Sequence, residues 1–421
     1  MKGLIVNSLK GKRICCWADS AIAQTGFGTV SRHILREFHN AGMKIHHLAI
    51  NFHGDFCSQE DVPWQQQPAR LRDPRDPHGI GMFLQAVATG QYDYIWICND
   101  LYVGAQAASD YRRIINELSN QGQKVPILLF YYPVDCRVPK DSGALLSMVD
   151  IPVCYNQYGY KETVKTFPHL KHRLKIIPHG TDTSVFYPLS KEERQEIRKH
   201  VLHVGDETTV IIQVNRNNAR KDIPYSFLAF KKFRELIPNS IYYAHMATND
   251  QGGDLLPALE HLGLSTTEDV LFPSNFNTKT PVPVEALNQL YNMGDMFLTC
   301  HLGEGHGLSS TESMAAGVPV VVPNNTSSPE IVGLDGERGY VYPCHDEKYI
   351  DPSGYRKKGL VPDIVAAMIR CYEAPASKKE RLISRAREWT IAHDWKKITP
   401  QWITLLQQAK GRERQVAAQE I

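Results

Sequence analysis

Two glutamates, Glu304 and Glu312, enclose seven residues, Gly305-His306-Gly307-Leu308-Ser309-Ser310-Thr311. A glycine-rich loop that runs into a helix presents free backbone N–H groups and the positive end of the helix dipole, a pairing suited to phosphate. If Ser309 or Ser310 opens the helix, Glu304 lies in the loop mouth and Glu312 in the first turn. Both carboxylates then reach one ligand, which would carry hydroxyls as well as phosphate. The plainer alternative is a pair of helix-capping acids in a generic α/β domain. Downstream, Met314-Ala315-Ala316-Gly317-Val318-Pro319 ends the helix and Val320-Val321-Val322 reads as a buried strand.

The stretch E-G-H-G-L-S-S-T-E-S-M-A-A-G-V-P-V-V resembles the carboxylate-loop-carboxylate signature of retaining, nucleotide-sugar-dependent glycosyltransferases with the B-type fold, most closely family 4. The resemblance implies that Glu304 touches the donor sugar and that the amides of Gly305, His306, Gly307, Leu308 and Ser309 hold the diphosphate. Glu312 would bind the ribose. It also implies a cationic pair in which a strand ends in Arg and a Lys follows five residues on; Arg216 and Lys221 have that spacing, with Arg220 the register rival of Lys221. Arginine offers a planar fork to phosphate oxygens and lysine a point charge. By the same resemblance Gly26 and Gly28 face the donor, the backbone near Phe272 to Asn275 docks the base, and Asp135, Tyr132 and His179 lie on the acceptor side. Asp135 is also a candidate base. Retention of configuration follows from the resemblance alone. No metal or other cofactor is expected, since that family generally dispenses with the ion and no Asp-x-Asp pair falls in a plausible place.

These residues need strands to carry them. Lys12 to Ala18, Ile45 to Ile50, Tyr94 to Cys98, Val125 to Tyr131 and Ile151 to Tyr155 read as strands of a first doubly wound unit, with Gly26 and Gly28 in the loop after the first. Thr209 to Val214, Ser240 to Met246, Met296 to Cys300 and Val320 to Pro323 read as strands of a second. The expected fold is α/β, with two Rossmann-like domains facing across a cleft. The first would span 1–187 and the second 188–394, with a helix at about 395–412 returning to the first and a loose tail at 413–421. Pro63 to His78 reads as an exposed loop and Tyr111 to Leu118 as an amphipathic helix.

Composition narrows the partners only slightly. The 421 residues carry a net charge of +2, with 42% apolar and 22% charged residues, ordinary for a globular chain. Bulk charge announces no nucleic-acid binder. No apolar run approaches the roughly 20 residues of a membrane span. Nine cysteines without CxxC or zinc spacing favour a reducing, cytoplasmic setting. The expected activity is transfer of a hexose from a nucleotide sugar, UDP-glucose first, to a hydroxyl on DNA, a glycan, a lipid-linked or a small molecule. Basic residues Lys171, Arg173 and Lys175, with T-G-F-G-T-V-S-R, resemble phage-type enzymes that sugar-coat hydroxylated bases. Epimerases and hydrolases of the same fold and a non-catalytic binder are the alternatives. Alanine at Glu304, Arg216 or Lys221 is expected to lower transfer at least about a hundredfold.

Overall fold

In a computed structural model, residues 8–70, 75–274, 282–351 and 354–411 are described. They form two compact units: residues up to Val134, Val138–His179 and the segment from Trp395 make the first, and Asp135–Arg137 with Gly180–Asp394 the second. The main division thus falls after His179 rather than after 187, and the segment carrying Asp135 belongs to the second unit.

The first unit holds strands β1 (Arg13–Asp19), β2 (Lys44–Ile50), β3 (Gln65–Pro68), β4 (Tyr94–Cys98), β5 (Ile127–Tyr132), β6 (Ile151–Cys154) and β7 (Lys175–Ile176). Their order is β3-β2-β1-β4-β5-β6-β7, every pair parallel. Side chains on β1 alternate between two cores, Cys15 and Trp17 on one face and Ile14, Cys16 and Ala18 on the other. A parallel sheet covered on both faces needs apolar residues at every position, so its strands read as unbroken runs. Trp17 stacks on Phe83 with ring centroids 4.4 Å apart. On the opposite face the helix Trp395–Gln408 brings Trp402 against Trp96, Tyr131 and Phe38.

The second unit repeats the plan with β8 (Thr209–Val214), β9 (Ser240–His245), a small hairpin β10 (Asn249–Asp250) and β11 (Gly253–Asp254), then β12 (Val270–Leu271), β13 (Met296–Leu298), β14 (Val320–Pro323) and β15 (Tyr340–Tyr342). The main sheet runs β12-β9-β8-β13-β14-β15, again parallel. A second hairpin, β16 (Asp346–Asp351) and β17 (Gly354–Lys358), follows β15.

Three elements depart from the sequence expectation. The stretch Pro63 to His78 contains β3, which pairs with β2 at the sheet edge; Gln-Gln-Gln-Pro has little strand propensity, and a terminal proline is tolerated at an edge. The helix read over Tyr111 to Leu118 extends over Leu101–Asn120, because Val103, Gly104 and Ala107 bury a small-residue face that carries little hydrophobic signal. Gly104 needs that smallness: a Cβ there would lie 2.7 Å from the Phe130 ring. The hairpin β16–β17 has mixed charge and no apolar alternation, so periodicity missed it. Among the described residues no helix is long and apolar enough to cross a membrane.

Candidate active site

The strand β8 delivers the turn that carries the cations. Asn217 pins this turn by donating from its amide to the carbonyls of Gly253, at 2.8 Å, and Thr248, at 3.2 Å. Asn218 then caps the single tight turn Ala219–Lys221 by accepting from the Arg220 N–H at 3.0 Å. Asp222 ends it with φ of 48° and the helix Ile223–Leu236 begins. Arg220 and Lys221 consequently point to one place, the carboxylate of Glu304. Lys221 Nζ meets Oε1 and Arg220 Nη1 lies 2.8 Å from Oε2 while also donating to the Gly303 carbonyl. The backbone closes the same contact, since the Leu302 N–H donates to the Arg220 carbonyl at 2.8 Å.

Glu304 is 7% exposed. Burial alone would raise its carboxyl, but Arg220 and Lys221 outweigh that and hold it well below the usual carboxylate range. Its N–H donates to Thr326 Oγ1 at 2.9 Å. Thr326 has φ of 43°, a left-handed conformation that costs a β-branched residue on the order of 1–3 kcal/mol. His301, three residues before, is neutral: burial pulls its pKa down to about 3, and its Nε2 lies 3.0 Å from Ser328 Oγ.

Beyond Glu304 the loop turns through Gly307, whose φ of 95° only glycine adopts freely, into the helix Leu308–Ala315. The N–H groups of Ser310 and Thr311 are turned to the Gly307 carbonyl. Those of Leu308 and Ser309 head the helix, where a first turn has no carbonyl of its own to offer. Because the helix opens at Leu308, Glu312 falls in its second turn rather than its first. Tyr291 donates its hydroxyl to Glu312 Oε2 at 2.7 Å. Burial pushes the Glu312 carboxyl up to about 7 against the effect of that bond. A carboxyl with a raised folded pKa holds its proton more tightly in the native state, so its contribution to stability falls as pH rises from about 4.5 to about 7. Glu312→Gln is therefore expected to be more stable than the parent above pH 7, by up to about 3 kcal/mol, and equal to it near pH 4. Thermal unfolding across that range reads the difference.

Other expected site residues fall elsewhere. Arg216 does not join Lys221. It donates to Asp250 on β10, Nε to Oδ2 at 2.7 Å, with a side chain 56% exposed; an acid in the hairpin that follows β9 captures it. The Asp135 carboxylate forms ion pairs with Arg220 Nε and Arg356 Nη1, each at 3.1 Å, and Arg356 Nη1 donates to the Asp135 carbonyl at 2.8 Å, so two guanidinium groups already engage the proposed base. Tyr132 is fully buried in the core of the first unit, donates to Thr163 Oγ1 at 3.3 Å, and burial drives its phenol far up. His179 is buried among Tyr131, Tyr155 and Trp395, where the aromatic packing of the first unit uses it. Gly28 lies inside the helix Gly26–Asn40, its N–H donating to the Thr25 cap at 2.9 Å. A Cβ on Gly28 would sit 2.2 Å from the Ala23 carbonyl oxygen, so close chain packing requires that glycine. Gly26 is the exposed first residue of the helix. His306 is buried, its pKa drawn down by burial to about 3, and its carbonyl accepts from Ser327 Oγ at 2.8 Å. Asn275 lies outside the described residues.

Two parallel doubly wound sheets, the second carrying an acid-bracketed loop that opens a helix, define the B-type fold of glycosyltransferases. The Anabaena protein Alr3699/HepE, solved in complex with UDP and glucose, superposes on this chain with a TM-score of 0.67 and 15% identity, covering 94% of this chain and 99% of its own. Residues 253–351 match the family model described as Glycosyl transferases group 1. Relatives in sequence include a probable sucrose-phosphate synthase of Thermosipho melanesiensis, 24% identical over 45% of this chain and 41% of the relative, and mannosylfructose-phosphate synthase of Agrobacterium fabrum, 28% identical over 41% and 36%. The matched part of this chain thus spans well under half the length of those relatives.

Proposed function

We propose that the chain is a retaining glycosyltransferase that moves glucose from UDP-glucose to a hydroxyl acceptor. The observation that carries this reading is the grip of Arg220 and Lys221 on the Glu304 carboxylate, beside the start of the helix Leu308–Ala315. Cations that hold a buried carboxylate also hold a phosphate, and transfer from a nucleotide sugar leaves negative charge on the departing diphosphate. Arg220, Lys221 and the leading amides of the helix supply the balancing positive charge, so the reading calls for no metal. A diphosphate that takes the two cations releases Glu304 to accept from the hydroxyls of the sugar. Glu312, bonded to Tyr291, stands one helical turn further on as a partner for the ribose.

The test begins with thermal unfolding in a panel of nucleotide sugars. UDP-glucose at a hundredfold excess over its Kd is expected to stabilise the chain by about 2.7 kcal/mol. Acceptor trials follow with hydroxymethylated DNA, oligosaccharides, lipid-linked sugars and sugar phosphates. Release of UDP only when an acceptor is present supports transfer. Free glucose without acceptor would make the chain a hydrolase, an altered sugar nucleotide an epimerase, and binding without turnover a nucleotide-sugar-binding protein.

A further inference from the structure

Four non-glycine residues have positive φ among the described residues: Asn51, His203, Asp222 and Thr326. Two of the four bear on the Lys221–Glu304 contact. Asp222 follows Lys221 directly, and Thr326 accepts from the Glu304 N–H. Strained backbone persists where the surroundings over-determine it, and it gathers at functional sites. Glycine would adopt either conformation without penalty, so these side chains call for a separate reason.

The reason at Thr326 is its hydroxyl, which takes up the Glu304 amide. At Asp222 it is a buried carboxylate whose Oδ1 lies 2.7 Å from Lys348 Nζ. Lys348 sits on β16 opposite Arg356 of β17. These two and Lys358 turn the same way, Lys358 Nζ standing 4.0 Å above the Tyr225 ring in the first turn of the helix after Asp222. The neighbouring pair Tyr349 and Tyr355 faces outward and is exposed. The hairpin thus brings Lys348 and Lys358 against Asp222 and Tyr225, beside Lys221, while Arg356 reaches Asp135 and the aromatic rings face away.

We propose that Thr326 and the Asp222–Lys348 pair are positioning residues that hold Glu304 and Lys221 in register from the two sides of their contact. The inference rests on the transferase reading for its consequence, and on hydrogen exchange for its geometry. Thr326→Val keeps the shape and loses the hydroxyl, Thr326→Gly removes the strain as well, and Thr326→Ser restores the acceptor. Lys348→Met and Lys348→Arg form the matching pair. In the protein without ligand, the peptide containing Glu304 is expected to exchange at least about tenfold faster in Thr326→Val and Thr326→Gly and at the parental rate in Thr326→Ser. The peptide containing Lys221 is expected to respond in the same way to Lys348→Met and to recover in Lys348→Arg. With UDP-glucose and an acceptor, kcat falls about tenfold in the Val, Gly and Met variants while KM for the donor changes less than about twofold, as for groups that align rather than bind. Parental exchange in Thr326→Val and Lys348→Met overturns the proposal, as does faster exchange with undiminished kcat, or a Thr326→Gly variant as active as the parent. If the parent itself transfers no sugar, the transferase reading fails, and the exchange rates alone still decide whether these residues hold the contact.

Discussion

Lys221→Ala is expected to lower sugar transfer at least about a hundredfold. The ammonium group lies on the innermost side of the turn after β8, its side chain 14% exposed, directly against the carboxylate that would be exchanged for diphosphate. A charge in such a partly dry place acts on developing charge far more strongly than one in water. Loss of the group should appear in kcat more than in donor affinity, because Arg220 and the helix amides still hold the ground state. Arg220→Ala is expected to follow it closely. Arg216→Ala should cost less than either, since Arg216 must first let go of Asp250 to approach the same ligand. Steady-state rates with UDP-glucose check the order, and a Lys221→Ala enzyme running at the parental rate would remove the proposed means of charge neutralisation.

Glu304→Ala is expected to cost at least about a hundredfold in transfer and about 3 kcal/mol in stability. The second loss arises because the variant leaves Arg220 and Lys221 facing each other with their carboxylate gone, and stripping one side of a buried ion pair is strongly destabilising. The lower end of the usual range applies because Arg220 keeps a side-chain exposure of 26%. The pH dependence has a definite sign. The folded pKa of Glu304 lies below the unfolded value of 4.5, so its contribution is complete above that pH and disappears as the medium is acidified through the folded pKa. Parent and variant should therefore differ most at neutral pH and converge under acid conditions. Urea unfolding at pH 7 and pH 3 measures the onset of that convergence, with a smaller gap at pH 3, and equal gaps at the two values would mean that the carboxylate charge is not what stabilises the site.

The sheets were legible because burial on both faces leaves continuous apolar runs such as Tyr94 to Cys98 and Thr209 to Val214, and the loop at 304–312 because its glycines and acids are close in the chain. Arg220 was harder to place. Spacing favoured Arg216 with Lys221, whereas Asn218 caps a tight turn that swings the adjacent residues together and Asp250, thirty-odd positions on, takes the other guanidinium. The first is a local side-chain cap that spacing does not reveal, and the second depends on a contact between segments distant in the chain. The same holds for Thr326 and Lys348, which gain their meaning only from a backbone angle and a strand register. Tyr132 and His179 looked available because they lie at strand ends, yet the cores of the first unit enclose both.

The first unit is not made of continuous chain. Trp395, Ile398, Trp402 and Leu406, from the far end of the described residues, belong to the same core as Ile14, Phe38 and Trp96. During synthesis, all the strands of the first sheet leave the ribosome long before the helix that completes one of its cores, while the second unit is already whole once Asp394 has emerged. The later-encoded unit can thus mature first, and the earlier one must keep an apolar face from sticking to other chains until the last helix arrives to cover it.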